Sequence, residues 1–457
     1  MARTFAIMLL MAEVAVAPAD QEPMVRLNTV GYLPDAEKRA SFSVPGSRFQ
    51  VVRLADGVAV FRGSLSGPLT NGDSQELLYT ADFSSVKAEG VYQVQVEDVG
   101  SSAPFRISKE VYREPFRTVT RAMYLWRCGT AVRGIFAGNV FAHGPCHTND
   151  ASLRFVHGDG HQNGTGGWHD AGDYNKYVVN AGVSVGAMFR AWEDFGPAIR
   201  SVSLDLPESG GALPDFLAEL KWELDWLLSM QGPDGEVYHK LSTLEFGGFV
   251  MPERESQPRY FTPWSSAATA DFVAITAIAA RTFRSFDADY AERCSQAARN
   301  SYAFLQANPG DHRADLTGFS TGSYQSRDPD ERLWAAAEWW ETTGDPEVLV
   351  DCERCIRRRV QVDSDFDWGN VANLGLITYA FATKPGRDES LVTAVRSNLV
   401  VVADGIVAMR ERHGYERPLG TRYYWGCNGG VARQVIILYA AFRAESKPAY
   451  RRPHSPH

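Results

Sequence analysis

The stretch LPDFLAELKWELDWLLSM at residues 213–230 repeats its apolar side chains at the period of an α-helix. Leu217, Leu220, Leu224 and Leu227 recur every three or four positions, which places them on one helical face. The same periodicity continues on both sides and predicts about ten helices, near residues 114–130, 176–195, 213–230, 263–286, 289–307, 330–344, 346–360, 371–383, 389–411 and 428–443. Long glycine-rich loops alternate with short ones between these helices. This pattern predicts a ring of helical hairpins with its functional site at the long-loop end.

The sequence from Val25 to about Ile107 is strand-like instead. Short β-rich runs such as FQVVRL, VAVFRG and VYQVQV are separated by Gly, Pro, Asp and Ser turns. Such spacing predicts a small all-β sandwich of immunoglobulin type, here without a Cys…Trp…Cys core. We therefore expect an Ig-like domain over 24–108, an all-α domain over 113–446 and an irregular tail over 447–457.

Composition restricts the class of protein. The chain has 457 residues, with 46 Lys and Arg against 55 Asp and Glu, and a formal net charge of −9. This acidic balance argues against a general nucleic-acid binder, which would carry a basic stripe. With 44% hydrophobic residues, the chain can bury a large core and should form two or three domains.

The N-terminus is typical of a secretory signal over residues 1–19. Arg3 supplies a positive charge, FAIMLLMA the apolar run, and Ala17-Pro18-Ala19 a small-residue cleavage site. The run is too short to span a bilayer, and no later stretch approaches eighteen uninterrupted apolar residues. We expect a secreted or periplasmic protein with no membrane partner.

The segment GGWHDAGDYNKYVV at residues 166–179 is the densest group of chemically active side chains. Asp170 and Asp173 flank a tight Ala-Gly turn that would aim both carboxylates into one small volume. Two such groups can hold and deprotonate one water, and their repulsion helps to keep one of them basic. An aspartate pair in a glycine loop can equally be a turn or a helix N-cap.

Two further clusters suggest metal ions. Cys128 and the pair Cys146-His147, with a later histidine at 157, 161 or 169, could form a tetrahedral zinc site, or could be buried cysteines and a surface histidine. The loop YQSRDPDE at residues 324–331, together with Asp367, offers oxygen ligands for Ca²⁺. Its acidic side chains could instead cap the helix that follows.

Several blocks together resemble glycoside hydrolase family 9, in the subgroup with an N-terminal cellulase-type Ig-like domain. They occur in family order and read VRLNTVGYLPDAEKRA, RAMYLWRCGTA, FAHGPCHTNDA, GGWHDAGDYNKYVVNAG, MQGPDGEVYHK, PRYFTPWSSAATADF, DERLWAAAEWWETTGD and YYWGCNGGVARQ. The family fold is an (α/α)6 barrel, which agrees with the predicted hairpins.

The resemblance implies roles for individual residues. Asp173 matches the general base, with Asp170 helping to hold the attacking water in an inverting reaction. Cys128, Cys146, His147 and His169 match the ligands of a structural zinc ion, and Asp328, Asp330, Glu331 and Asp367 match a calcium site. Trp168, Tyr174 and Trp425 are candidate substrate contacts.

The sequence also departs from the family. The block that carries the general-acid glutamate is missing, as is a block of Gly, His and Arg that shapes the substrate subsites. About ten predicted helices are too few for six complete hairpins. We therefore expect a barrel that lacks its last hairpin, with weak or no activity.

Three functions follow from these observations. The first is a monomeric, endo-acting hydrolase of β-1,4-glucan. The second is an exo-acting enzyme of the same family that releases glucose, cellobiose or glucosamine units. The third is a carbohydrate-binding remnant that holds glycan in a cleft lined by Trp168, Trp264, Trp368 and Trp425 without cutting it.

Overall fold

The structure is a computed structural model that describes residues 25–451. The chain divides between Val111 and Tyr112 into two compact units. The predicted signal segment 1–19, Met24 of the predicted Ig-like domain and residues 452–457 of the predicted tail lie outside the described residues.

The described part of the N-terminal unit is a sandwich of two antiparallel sheets. Its strands are β1 (Arg26–Leu27), β2 (Arg39–Phe42), β3 (Arg48–Arg53), β4 (Val58–Ser64), β5 (Ser66–Thr70), β6 (Leu77–Asp82), β7 (Gly90–Val96), β8 (Gly100–Ser101) and β9 (Phe105–Ile107). One sheet has the order β1-β2-β6-β5. The other has the order β4-β3-β7-β8, and β9 also pairs with β7.

Aromatic side chains fill the space between these two sheets. Tyr32 packs edge-on against Phe83 and Phe105, with ring centroids 5.6 and 5.5 Å apart, and Tyr92 lies 6.1 Å from Phe105. Such rings bury large apolar areas and stabilise a small sandwich without a covalent link. All six cysteines lie in the other unit and are free thiols. The predicted Ig-like fold without a disulfide is confirmed.

The second unit contains ten α-helices among its described residues, as predicted. They are α1 (Arg113–Leu125), α2 (Val178–Ile199), α3 (Asp215–Ser229), α4 (Ser266–Phe283), α5 (Ala288–Ala307), α6 (Pro329–Thr343), α7 (Pro346–Arg358), α8 (Ala372–Phe381), α9 (Glu389–Arg412) and α10 (Cys427–Ala444).

These helices form the inner and outer layers of a helical barrel. Helices α2, α4, α6 and α8 contact one another in succession, and α3, α5 and α7 pack outside them. Nearly every residue of α4 and α8 is buried, because each is surrounded by neighbours on all sides. Helix α10 packs on α9 and also reaches α2, where Tyr439 lies 4.8 Å from Phe195 and Arg443 pairs with Asp194 at 3.1 Å.

The helical unit also contains short strands that the periodicity did not predict. They are β10 (Val132–Phe136), β11 (Asn139–His143), β12 (Leu153–Phe155), β13 (His161–Gln162), β14 (Lys176–Tyr177), β15 (Lys240–Thr243) and β16 (Arg259–Phe261). Strands β10 and β11 form a separate hairpin, and the others form one sheet in the order β13-β12-β16-β15-β14. None exceeds five residues, so none is long enough to show a clear alternation of polar and apolar positions.

Two features near the C-terminus qualify the sequence analysis. Helix α9 is, by length and composition, apolar enough to cross a membrane, and it packs along α10 in this structure. The predicted tail begins with a 3-10 helix at Pro448–Arg451 rather than irregular chain. This turn is held by a 2.5 Å hydrogen bond from the Tyr450 hydroxyl to Asp404.

Gly375 marks the closest approach of α8 to α6. A Cβ at this position would lie 2.5 Å from a Leu333 methyl and 2.8 Å from the Cα of Trp334. We expect Gly375→Ala to lower the free energy of unfolding by about 1–3 kcal/mol through overpacking. The measurement is urea unfolding followed by circular dichroism at 222 nm.

Gly405 in α9 is the matched control. No atom lies within 4 Å of a Cβ built there, so Gly405→Ala should leave stability unchanged or raise it by about 0.5–1 kcal/mol. Equal losses in both variants would contradict the described packing of α6 on α8.

Candidate active site

A tight loop at residues 166–177 contains the predicted catalytic carboxylates. Gly166 and Gly167 adopt φ values of +91° and +73°, which favour glycine. A Cβ at Gly167 would lie 2.7 Å from the Trp226 ring, so glycine lets the loop approach α3 closely. The Gly167 carbonyl accepts a 2.8 Å hydrogen bond from the backbone N–H of Cys128.

Trp168, the third residue of this loop, is only 6% exposed. Its indole N–H donates to Glu219 at 2.8 Å, and its backbone N–H donates to Glu223 at 2.5 Å. Both glutamates lie on α3, one turn apart, and are buried. The Trp168 ring is therefore largely enclosed, and its predicted contact with a sugar stays a prediction.

Arg127 balances the negative charge under the loop. Its guanidinium, on a residue 1% exposed, pairs with Glu219 at 3.0 Å and with Glu208 at 2.9 Å. It also lies 4.5 Å from the centroid of the Trp222 ring. Burial raises the pKa of Glu223 to about 8. Buried charges of this kind are tolerated only where partners and hydrogen bonds compensate their lost hydration.

Lys176, near the end of the loop, binds the backbone near its start. Its buried ammonium donates to the carbonyl oxygens of Gly164 and Gly166 at 2.5 and 2.7 Å, and lies 3.3 Å from Asp150. The start of the loop is thus held by the glutamates of α3 and by the ammonium of Lys176.

Asp170 lies half-buried at the top of the loop. Its backbone N–H donates to the Asn175 carbonyl at 2.9 Å, and its Oδ1 accepts from the Asn180 amide at 2.7 Å. Burial raises the pKa of Asp170 to about 6, and the charge on Asp173 contributes in the same direction. The two carboxylates are therefore within electrostatic reach of each other, as the sequence predicted.

Asp173 has two differently bonded oxygens. Its Oδ2 accepts from the Asn175 amide at 3.0 Å and from the Tyr177 hydroxyl at 2.8 Å. Its Oδ1 is buried and has no hydrogen-bond partner. The chain turns at Tyr174, which adopts a left-handed φ of +58°. The result is one carboxylate oxygen with two donors and one buried oxygen with none.

The four predicted zinc ligands converge beside this loop. Cys128, Cys146, His147 and His169 offer ligand atoms that all lie within 4.8 Å of one another. Cys128 Sγ lies 3.6 Å from His147 Nδ1, and Cys146 Sγ lies 3.7 Å from His169 Nε2. It is the one such group of three or more Cys, His, Asp or Glu side chains between residues 25 and 451.

These distances fit a tetrahedral zinc ion. Typical bonds of about 2.3 Å to sulfur and about 2.05 Å to nitrogen give a sulfur–nitrogen edge of about 3.6 Å in a tetrahedron. The hairpin of β10 and β11 lies between Cys128 and Cys146 in the sequence, while His169 precedes Asp170. An ion held by these ligands would therefore join the base of the hairpin to the carboxylate loop.

Two of the predicted calcium ligands have other partners in the structure. Asp328 pairs with Arg332 at 2.6 Å, and Asp367 accepts the backbone N–H of Gly369 at 2.9 Å. The N-cap position of α6 is Asp328, but its side chain makes no capping hydrogen bond. Asp330 and Glu331 lie in the first turn of α6, as the capping interpretation expects, and the calcium site stays a prediction.

Asp330 and Glu331 remain as candidates for an oxygen-liganded cation. A cavity of about 450 Å³ is lined by residues that include Ser326, Asp330 and Trp368. The Ser326 hydroxyl donates to Glu331 Oε1 at 2.6 Å, whereas Glu331 Oε2 is buried without a partner. Burial raises the pKa of both Asp330 and Glu331. Asp271 of α4, which the sequence analysis missed, is also buried there with neither carboxylate oxygen hydrogen-bonded.

The other candidate substrate contacts differ in exposure. Trp425 is 96% exposed just before α10. Tyr174 is half-buried, with its hydroxyl donated to the Val250 carbonyl and its ring 5.0 Å from the His169 ring. Tyr174 thus packs against the metal-ligand cluster.

Sequence reasoning missed several residues that shape the site. Asn175, Tyr177 and Asn180 bond directly to the two aspartates, and Tyr324 packs 4.7 Å from the Tyr177 ring. Asn175 and Tyr177 lie in the block GGWHDAGDYNKYVV, close to Asp173 in the sequence, and this closeness could have indicated them. Tyr324 comes from a distant loop, and no local pattern could have placed it.

The buried ion pair under Trp168 has a measurable contribution to stability. We expect Glu219→Ala to lower the free energy of unfolding by about 3–5 kcal/mol, since it leaves Arg127 and the Trp168 indole short of a buried partner. The side chain of Glu208, the other partner of the same guanidinium, is 42% exposed. Glu208→Ala should therefore lower the free energy of unfolding by less than about 1 kcal/mol. Similar losses for both, measured by urea unfolding, would contradict the described burial.

Comparison with known proteins places this geometry in a family. The family model for glycosyl hydrolase family 9 matches residues 112–454, and the model for the cellulase N-terminal Ig-like domain matches residues 20–101. Endoglucanase D of Acetivibrio thermocellus is 51% identical over 422 residues, which cover 91% of this chain and 67% of that protein. Cellodextrinase of Butyrivibrio fibrisolvens is 32% identical over 448 residues, covering 93% and 80%.

Solved structures that resemble this chain belong to the same family. The crystal structure of the family 9 endoglucanase J30 has a TM-score of 0.85 at 33% identity, covering 92% of this chain and 80% of that one. A Zn-binding triple mutant of the same enzyme gives the same values. A metagenome-derived family 9 endoglucanase has a TM-score of 0.86 at 34% identity, covering 94% and 81%. The chain therefore belongs to glycosyl hydrolase family 9, as a glycoside hydrolase of the endoglucanase type with a cellulase Ig-like domain ahead of its helical barrel.

Proposed function

We propose that the protein is an exported, monomeric hydrolase that cleaves β-1,4-glucan chains internally with inversion of configuration. The observation that carries this proposal is the pair Asp170 and Asp173 on a loop fixed by buried hydrogen bonds. Export is supported by the composition of residues 1–19, and the substrate class by the names of the relatives.

In the proposed reaction, a water molecule lies between the two aspartates and the anomeric carbon. Asp173 accepts a proton from this water as it attacks, and Asp170 helps to orient it. The departing glycosidic oxygen must take a proton from a carboxylic acid on the opposite side of the sugar, roughly 6.5–9.5 Å from the base. We assign no residue of this chain to that acid, because its expected sequence block was not found.

The proposal includes a structural zinc ion held by Cys128, Cys146, His147 and His169. Four protein ligands leave no open coordination position, so the ion would fix the hairpin and the carboxylate loop without entering the reaction. A calcium ion is proposed at the cavity beside Asp330, with Glu331 as the second carboxylate. The unpartnered, buried Oε2 of Glu331 is the feature that favours it.

Substitution of Asp173 tests the proposed base. Because no general acid is assigned, the purified chain should release reducing ends from a soluble β-1,4-glucan only slowly, and Asp173→Asn should reduce that rate by a further factor of roughly 10²–10⁴ because general-base assistance is lost. An aryl β-cellobioside with a good leaving group needs little protonation, so its hydrolysis reports on the base separately from the acid. Asp289→Asn, at an exposed position in the first turn of α5, is the matched control.

Product size tests the mode of action. An endo-acting enzyme lowers the viscosity of a long glucan before many reducing ends have formed, whereas an exo-acting one releases short sugars at almost constant viscosity. A folded protein that leaves both substrates intact would contradict the proposed hydrolase. Full activity in Asp173→Asn would contradict the assignment of the base.

A further inference from the structure

Asn175 connects both aspartates to the sheet beneath them. It is fully buried, and its backbone carbonyl accepts the N–H of Asp170 at 2.9 Å. Its side-chain amide donates to Asp173 Oδ2 at 3.0 Å. Its side-chain oxygen accepts the backbone N–H of Thr243 in β15 at 2.9 Å. One residue therefore links both aspartates to a strand, Asp170 through its backbone and Asp173 through its carboxylate.

Tyr177 fixes the same oxygen of Asp173 from a second direction. It is 2% exposed, lies in β14, and donates its hydroxyl to Oδ2 at 2.8 Å. The Tyr324 ring packs edge-on against it at 4.7 Å, and the buried ammonium of Lys240 lies 5.5 Å from its ring centroid. These contacts leave the phenol little freedom to turn away from Asp173.

We propose that Asn175 and Tyr177 are positioning residues that hold Asp173 Oδ2, so that Oδ1 is the atom that takes the proton from the attacking water. This inference rests on the proposed function and adds which oxygen of Asp173 accepts the proton and which residues hold the other oxygen. The oxygen assigned to the reaction is the one that is buried without any partner, while its twin has two donors. A buried acceptor without a partner is costly, which is expected where a ligand completes the site.

The assigned step balances. An O–H bond of water breaks, its proton moves to Asp173 Oδ1, and the freed electron pair forms the bond to the anomeric carbon. The bond to the glycosidic oxygen breaks, and that oxygen keeps its electron pair and takes a proton from a carboxylic acid across the sugar. The two donors to Oδ2 hold the carboxylate in one orientation before the reaction.

Other ionisable groups near Asp173 come from four elements. Asp170 lies in the same loop, Tyr177 in β14, Lys240 in β15, and Tyr324 in the segment before α6. Burial lowers the pKa of Lys240 to about 8, and the charge on Asp173 opposes that shift. A substitution of Tyr177 alone leaves Asp170, Lys240 and Tyr324 in place, so its effect on Asp173 can be attributed to the lost hydroxyl.

Tyr177→Phe removes one hydroxyl and keeps the ring. Since a donor to the ionised form is lost, we expect the acidic limb of the pH profile of kcat/KM to move up by about one pH unit. The rate should fall through kcat with KM nearly unchanged, because Tyr177 acts through Asp173. Tyr302→Phe is the matched control, because the Tyr302 hydroxyl makes a similar 2.7 Å bond to Asp351 between α5 and α7.

A second measurement does not depend on turnover. In protein labelled with carbon-13 at aspartate carboxyl groups, the signal lost in Asp173→Asn identifies this residue. Its titration midpoint should rise in Tyr177→Phe and stay at the wild-type value in Tyr302→Phe. An unchanged midpoint in Tyr177→Phe, or equal changes in both variants, would overturn the inference. An inactive wild-type protein whose midpoint shifts as expected would contradict the proposed function alone.

Discussion

The fixed position of the loop at residues 166–177 is the constraint on which the rest of the site depends. Glycine dihedrals let it lie against α3, and buried charged groups then hold it there: Glu219 and Glu223 bind Trp168, and Lys176 binds the loop carbonyls. Ionic groups with so little solvent contact are costly unless every partner is in place. Because buried charged groups hold the loop in this way, its carboxylates occupy defined positions before any substrate binds.

Preorganisation of this kind determines what the two aspartates can do. Burial raises the pKa of Asp170 to about 6, whereas Asp173 has two donors on one oxygen and none on the other. Two carboxyl groups of the same chemical type thus acquire different roles from their surroundings. The His169 ligand lies next to Asp170 in sequence, so the metal-ligand cluster and the carboxylates share one rigid segment.

Much of this organisation could be predicted from the sequence, because long periodic signals are reliable. The ten helices and the β-sandwich follow from periods of 3.6 and 2, and the resemblance of three blocks to the family implied the clustering of Cys128, Cys146, His147 and His169. The short strands β12 to β16 were missed because a strand of a few residues shows no period. The bond of Trp168 to Glu219 could not be predicted because α3 is distant in sequence, and the ion pair of Asp328 with Arg332 was not expected either.

The proposed zinc ion would join the hairpin of β10 and β11 to the carboxylate loop. Zinc content and X-ray absorption of the purified chain test it most directly, with Cys146→Ser as the ligand variant and the buried Cys294→Ser of α5 as the control. We predict one zinc per chain with two sulfur neighbours at about 2.3 Å, retained in Cys294→Ser and lost in Cys146→Ser. A folded wild-type protein without zinc, or zinc bound equally in Cys146→Ser, would contradict the account.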